Sequence, residues 1–533
     1  MRSINLILIC SVFVSTVGFK GCYGHRVLGI FPLQCRSHFS MFEALMKGLA
    51  SRGHQVDVIS LFPQKNPHPN YTDIIKLPSP DLQLFNTLTY EMMKKSVEEM
   101  EVQLIGLVAG NGACAELSNP EMQRLIKNPP KDRPYDLLIT ELFATNCYMA
   151  LGYHLKVPTI ATISTSLYPW HDRIVGNPAN LAIRPNNFYA PPLPMDFSTR
   201  LYNTVYSYFI DAYFKYLTVS PQDAMVKKYI DEKIPSTRDI ERNVALVLTN
   251  THYSFNGPVP MTSAVIEVGG IHIRDDDSKI PEDLEEWMDR STDGFVYFSF
   301  GSMLRIDSLP EHIIRVFYRS FEKISPIRVL MKVTYEEQLP PGLPKNIRTF
   351  KWLPQLKVFR HKHMKAFITH GGMLGIQEAI HFAIPMIAMP IFAEQFSNAN
   401  RVAFIKIGIK LSVEVLTEET LDEALHEIFY NPIYKKKILQ VSAQFHDRPM
   451  APMDTAVWWI EYVLRRGDQS LRSVAMDLHW WQIELLDVYT AILVVIMISV
   501  FSIISFIRLI VKKLFIDHLG SLNGLAAGKT SLQ

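Results

Sequence analysis

The stretch from Trp352 to Gln395 constrains the fold more than any other. Phe367-Ile368-Thr369 is apolar and β-branched, as a buried parallel strand must be. His370-Gly371-Gly372 then makes a turn where backbone N–H groups can come close to a ligand, because glycine carries no side chain. Gly375 to Phe382 reads as a helix, and Pro385 to Pro390 as the next short buried strand. Parallel β-α-β units need helices on the faces of their sheet, so the chain is an α/β protein. A helix that starts just past a glycine turn also offers unpaired N–H groups and the positive end of its dipole. This suits a diphosphate. Polar groups gather at the same turns: Trp352-Leu353-Pro354-Gln355 before the strand, Glu378 on the helix and Glu394-Gln395 after it.

Similar alternation extends in both directions. Strand His25 to Pro32 is followed by an amphipathic helix from about Phe39 to Arg52, ended by Gly53, and by strand Gln55 to Leu61. Asp136 to Thr140 and Val157 to Ile163 read as further strands around a helical stretch, Cys147 to Leu155. Residues 168–260 lack this rhythm. It resumes near Val265 with strands Phe295 to Phe300, Arg328 to Val333, Ile347 to Trp352 and Lys365 to Thr369. Ser308-x-x-Glu311 reads as a capping box for a helix whose apolar face is Ile313, Phe317, Phe321 and Ile324. Gly257, Pro258 and Pro260 interrupt regular structure, so the sequence predicts domains at 25–258 and 264–454. Two doubly wound domains leave a cleft at the carboxyl ends of their strands.

The ends of the chain predict a compartment. Arg2, an apolar stretch from Ile4 to Val17 and small residues up to Gly24 make residues 1–24 a signal peptide in expectation. Residues 488–507 carry no charge, and as a helix they would span about 30 Å, a bilayer's hydrocarbon core. Trp480, Trp481 and Tyr489 stand on one side as interfacial aromatics, while Arg508, Lys512 and Lys513 follow on the other. The expected arrangement is type I: helices at 455–487 lead to the span, and 508–533 is a cytosolic tail. A net charge of +2 excludes bulk attraction to nucleic acid. Cys35, Cys114 and Cys147 are scattered, so neither a disulfide framework nor a zinc site is expected. Asn70-Tyr71-Thr72 is the only N-x-S/T sequon, making Asn70 the candidate glycosylation site of a lumenal protein.

With its fixed spacings from Phe367 through His370, Gly372, Gly375, Glu378, Pro385 and Pro390 to Glu394-Gln395, the chain resembles the membrane-bound UDP-glycosyltransferases that conjugate small lipophiles. Trp352-x-Pro354-Gln355, Gly176-Asn177-Pro178 and the Trp/Arg-rich stretch from Trp458 to Trp481 agree with this likeness. The resemblance implies a GT-B fold: two Rossmann-like domains, the first holding the acceptor and the second the UDP-sugar. It implies that Trp352 stacks on uracil, that Gln355 bonds the nucleoside, and that Glu378 accepts from the ribose hydroxyls. Ser302, His370 and the N–H groups at Gly372 and Gly375 would meet the diphosphate, and Glu394 and Gln395 the transferred sugar. Most relatives carry Asp where Glu394 stands.

The resemblance also makes His38, placed between the first strand and its helix, the general base. An imidazole titrates near neutrality and can take a proton from an acceptor hydroxyl. Its acidic partner should follow the strand that ends near Thr140, where Glu141 stands, with Asn146 the alternative. Glu141 in place of the usual Asp, and Met373-Leu374 in place of Thr-Asn, bring the chain nearer to invertebrate relatives, which commonly use UDP-glucose. The UDP-sugar is a co-substrate, and no cofactor is expected. Asp275-Asp276-Asp277 reads as a solvated loop, so no metal is expected either.

The expected activity is inverting transfer of a hexose to a small lipophilic alcohol, with Tyr202, Tyr206, Phe209, Tyr213 and Phe214 lining the acceptor site or packing a helix. The expected setting is the endoplasmic reticulum membrane, with a homo-oligomer possible. Two alternatives stay open at this stage: an endogenous lipid or glycan acceptor, and a non-catalytic lipophile carrier.

Overall fold

The computed structural model describes residues 24–78, 86–98, 100–274 and 279–529. The expected signal peptide, apart from Gly24, and the Asp275–Asp277 triplet lie outside them. Among the described residues thirteen strands, all parallel to their neighbours, form two sheets.

The first sheet has β1 (Arg26–Phe31), β2 (Gln55–Ser60), β3 (Tyr71–Lys76), β4 (Leu137–Glu141), β5 (Thr159–Ile163), β6 (Val244–Thr249) and β7 (Val265–Glu267) in the order β3-β2-β1-β4-β5-β6-β7. The second has β8 (Phe295–Ser299), β9 (Arg328–Lys332), β10 (Ile347–Phe350), β11 (Met364–Thr369), β12 (Met386–Ala388) and β13 (Gly408–Lys410) in the order β10-β9-β8-β11-β12-β13. Strands such as Leu137–Glu141 and Phe295–Ser299 are buried along their whole length, as covering on both faces requires. In each sheet the order reverses beside the first strand, and the crevice above that switch point is where ligands bind.

Several expectations are corrected. Val265–Glu267 pairs with β6, so the second lobe does not begin at 264; the proline-rich stretch before it is a loop within the first lobe. Residues 455–466 are not a lead into the membrane. They belong to the helix Pro452–Arg466, whose Ala456, Val457, Ile460 and Val463 pack in one cluster with Leu45 and Leu49 of the first lobe. Ser308 does not cap the helix that follows it: Pro310 precedes the helix Glu311–Lys323, and the Ser308 hydroxyl donates to the Arg305 carbonyl at 2.6 Å and accepts the Tyr90 N–H at 3.0 Å. Cys114 and Cys147 form a disulfide, which their separation of 33 residues hid from any spacing argument. Residues 197–229 are one long helix, Phe197–Tyr229, begun by Asp196, whose carboxylate accepts the Thr199 N–H.

Past Ser473 the chain forms a separate unit. Its main element is the helix Leu486–Lys529, in which Leu486–Gly520 contains an 18-residue window with a mean hydropathy of 2.8 and is long and apolar enough to cross a membrane.

Candidate active site

Strand register explains how distant residues meet. In the second lobe Thr369 lies opposite Ser299, so the turns that follow β8 and β11 run side by side. Gly301 (φ 76°) and Gly371 (φ 86°) take the left-handed backbone these turns need. The His370 imidazole fills the space that glycine leaves: a Cβ on Gly301 would come within 2.6 Å of it, and one on Gly372 within 2.7 Å. The helix Met373–His381 starts directly after Gly372, two residues earlier than expected, so its first N–H groups point at this pair of turns. The Ser302 hydroxyl and His370 Nδ1 are both buried there without a hydrogen-bond partner. Burial, and then the nearby Lys332 cation, bring the His370 pKa down to about 4. The ring is therefore neutral at pH 7 and can donate one hydrogen bond to an anionic oxygen.

Lys332, which ends β9, went unremarked in the sequence. It is buried, and Nζ donates to the Gly301 carbonyl at 2.7 Å and to the Asn86 side-chain oxygen at 2.6 Å. Burial brings its pKa down to about 8, with Asp307 opposing. The signal was a charged residue ending an otherwise apolar strand, Arg328-Val-Leu-Met-Lys332.

The neighbouring strand β10 delivers Trp352, 54% exposed, and the start of the short helix Gln355–Arg360. Gln355 Nε2 donates to Glu378 Oε2, and His272 Nε2 lies 3.3 Å from Glu378 Oε1. Glu378 is thus held by Gln355 before any ligand arrives. A Cβ at Gly375 would make only ordinary contacts, with Phe367 at 3.4 Å and Gln355 at 3.6 Å. After β12 the chain turns through Ala393, which has a φ of 54°, to Glu394 and Gln395. The Gln395 side-chain carbonyl accepts the Ile391 and Phe392 N–H groups at 3.0 and 3.2 Å, which fixes this side chain against its own loop. Glu394 Oε2 accepts from the Tyr168 hydroxyl at 3.2 Å, a contact made from the first lobe.

In the first lobe Ile30 lies opposite Thr140, which brings the ends of β1 and β4 together. His38 sits in the first turn of the helix Arg36–Ser51, not in the loop before it. Its Nδ1 is 2.6 Å from Oε1 of the buried Glu141, and its ring meets Phe143 edge-on. Asn146 faces away: its amide donates to Glu241 at 2.5 Å. Burial opposes a charge on His38, but the Cys35 sulfur and the Glu141 carboxylate outweigh it and hold the pKa well above the ordinary value.

His38 and the second-lobe group line one cavity of about 1150 Å³, with Glu141 buried beside His38. Its first-lobe wall mixes apolar residues, Met93, Leu104, Ile105, Val108 and Phe143, with polar ones such as Lys95, Glu101 and Gln103. The aromatic run 202–214 is absent from that wall, which corrects its reading as acceptor lining. Those rings stack along their own helix, Tyr202 on Tyr206 at 5.6 Å and Phe209 on Tyr213 at 5.9 Å, while Phe214 stacks on Trp170 at 4.0 Å. Asn70 is exposed, next to the buried Tyr71 that opens β3.

The fold is that of the GT-B glycosyltransferases. A solved glycosyltransferase of kitacinnamycin matches 82% of this chain and 98% of its own with a TM-score of 0.53 at 17% identity. A spinosyn forosaminyltransferase matches 83% of this chain and all of its own with a TM-score of 0.54 at 15% identity. Residues 30–518 match the family of UDP-glucuronosyl and UDP-glucosyl transferases, and the chain belongs to that family. UDP-glucosyltransferase 2 of Dactylopius coccus is 33% identical over 495 residues, covering 92% of this chain and 93% of its own. UDP-glucuronosyltransferase 2B17 of Rattus norvegicus is 28% identical over 515 residues, covering 91% and 94%. The protein is a UDP-glycosyltransferase, and its apolar C-terminal helix fits a membrane anchor.

Proposed function

We propose that this enzyme transfers glucose from UDP-glucose to a hydroxyl of a small lipophilic compound and inverts the anomeric configuration. One observation carries the reading: the His38–Glu141 pair and the Trp352, Gln355, Glu378 and His370 group face the same cavity from opposite lobes. Uracil stacks on Trp352, the ribose hydroxyls donate to Glu378, and the diphosphate lies against Ser302, His370 and the N–H groups at Gly372. Lys332 adds a positive charge beside it. Glu394 and Gln395 hold the hexose.

His38 Nε2 takes the proton from the acceptor hydroxyl, whose oxygen forms the new bond to C1. The bond from C1 to the diphosphate oxygen breaks, and UDP leaves with its electron pair. Glu141 stabilises the imidazolium. Holding both reactants in line converts a bimolecular encounter into a step within one complex, and the charge that develops on UDP meets donors already in place.

The apolar wall of Met93, Leu104 and Val108 selects an acceptor with little polarity beyond its reacting hydroxyl. Reading residues 1–24 as a signal peptide and the apolar C-terminal helix as an anchor supports a body in the lumen of the endoplasmic reticulum, where conjugation would serve detoxification. The test is UDP release by the full-length protein in mild detergent, run with UDP-glucose against phenols, ceramide and oligosaccharides. Turnover with phenols supports the reading. Turnover with ceramide or oligosaccharide alone would replace the acceptor class, and hydrolysis without transfer to any of them would overturn it.

A further inference from the structure

The first lobe sends a strap across the cleft. From Asn86 the chain lies against the turn after β8: Asn86 N–H donates to the Ser302 carbonyl at 2.8 Å, and Leu88 and Leu304 form a bridge. Leu88, Tyr90 and Met93 are buried in the core of the second lobe. The strap then reaches the loop after β12. There both carboxylate oxygens of Glu101 lie 2.9 Å from the Ala393 N–H, the residue held at φ 54° just before Glu394. Glu101, Glu394 and Tyr168 all line the cavity.

We infer that Glu101 is a specificity-determining residue for the donor sugar: with Glu394 it gives the hexose end of the cavity an anionic wall that accepts an uncharged hexose and repels a uronic acid. This rests on the proposed binding of a UDP-sugar. The unpartnered Ser302 hydroxyl and His370 Nδ1 mark the diphosphate, so the sugar extends from them towards the 392–395 loop and His38. Two of the cations that line the cavity stand elsewhere. Lys332 is bonded at Gly301, at the diphosphate end, and Arg36 is paired with Glu43 at 3.1 Å. A carboxylate on the sugar would share the loop with two others in a site screened poorly by water. Burial, with Glu394 adding to it and the Ala393 N–H opposing, brings the Glu101 pKa up to about 7. The wall is therefore fully charged only above neutrality.

The experiment is calorimetric binding of UDP-glucose and UDP-glucuronate at pH 8 to the full-length protein in detergent, with UDP as control. The wild type is expected to prefer UDP-glucose. Glu101→Gln keeps a carbonyl for the Ala393 N–H and removes the charge. It is expected to shift the affinity ratio towards UDP-glucuronate about tenfold, equivalent to about 1.4 kcal/mol. A role confined to holding the loop would change both donors alike and leave the ratio unmoved. An unmoved ratio in Glu101→Gln, or equal binding of the two donors by the wild type, overturns the inference. Absence of UDP binding overturns the donor assignment beneath it instead.

Discussion

The two faces of the cleft are built on different plans. The second lobe faces the cavity with two left-handed glycine turns, a helix N-terminus and side chains held by bonds within the lobe, as Gln355 holds Glu378. The first lobe faces it with apolar side chains such as Met93, Leu104 and Val108, with His38 backed by Glu141, and with charged residues such as Lys95 and Glu101. A face of fixed dipoles suits one constant group, a nucleoside diphosphate. A face of flexible methionine and leucine suits partners that vary in shape. Constancy on one side and tolerance on the other is what the proposed function would require.

Substitutions can break or sharpen this contrast. His38→Ala should lower kcat by roughly 10²–10⁴-fold, the usual worth of general-base catalysis. UDP affinity by calorimetry should be unchanged, because the two faces bind separately. Glu141→Gln should lower kcat on the order of a hundredfold and also move the pH profile. The base must be neutral to accept a proton, and its raised pKa places the acid limb of kcat/KM above pH 6.5. Losing the carboxylate lowers that pKa, so the limb should shift to lower pH. Cys35→Ser should shift it in the same direction with a smaller loss of turnover. Trp352→Ala should raise the KM for the donor about tenfold, from a stacking worth of ~1–3 kcal/mol, and leave the acceptor KM alone. Leu104→Ser should do the reverse, raising acceptor KM about fivefold by removing about 1 kcal/mol of apolar contact from a partly exposed side chain. A donor effect of Leu104→Ser as large as its acceptor effect would break the division between the faces.

The same contrast governs what could be read from the chain. The donor face was legible because its parts are local: strand Met364–Thr369, the glycine pair and the helix after it are contiguous, and their roles follow from turn chemistry and helix ends. His38 and Glu141 were also within reach, since each stands where a buried strand gives way to a loop or helix. What escaped depends on through-space contact. Nothing in its sequence says that Val265–Glu267 adds to the first sheet, that Cys114 meets Cys147, or that Leu88 and Tyr90 lodge in the opposite lobe. The aromatics at 202–214 misled for a related reason: ring composition marks a packed helix as readily as a pocket, and only the direction of each side chain separates the two.

The return of the chain to the first lobe has a practical consequence. Gly48 leaves room for Met453, whose sulfur would lie 2.1 Å from a Cβ at that position, so the helix Pro452–Arg466 is seated directly on the helix that begins with Arg36 and carries His38. Anyone designing a water-soluble version by trimming the anchor should cut beyond Gly467. A truncation before Pro452 would keep every nucleotide-facing residue yet strip the backing from the imidazole's own support, giving a protein that still grips UDP and no longer turns over.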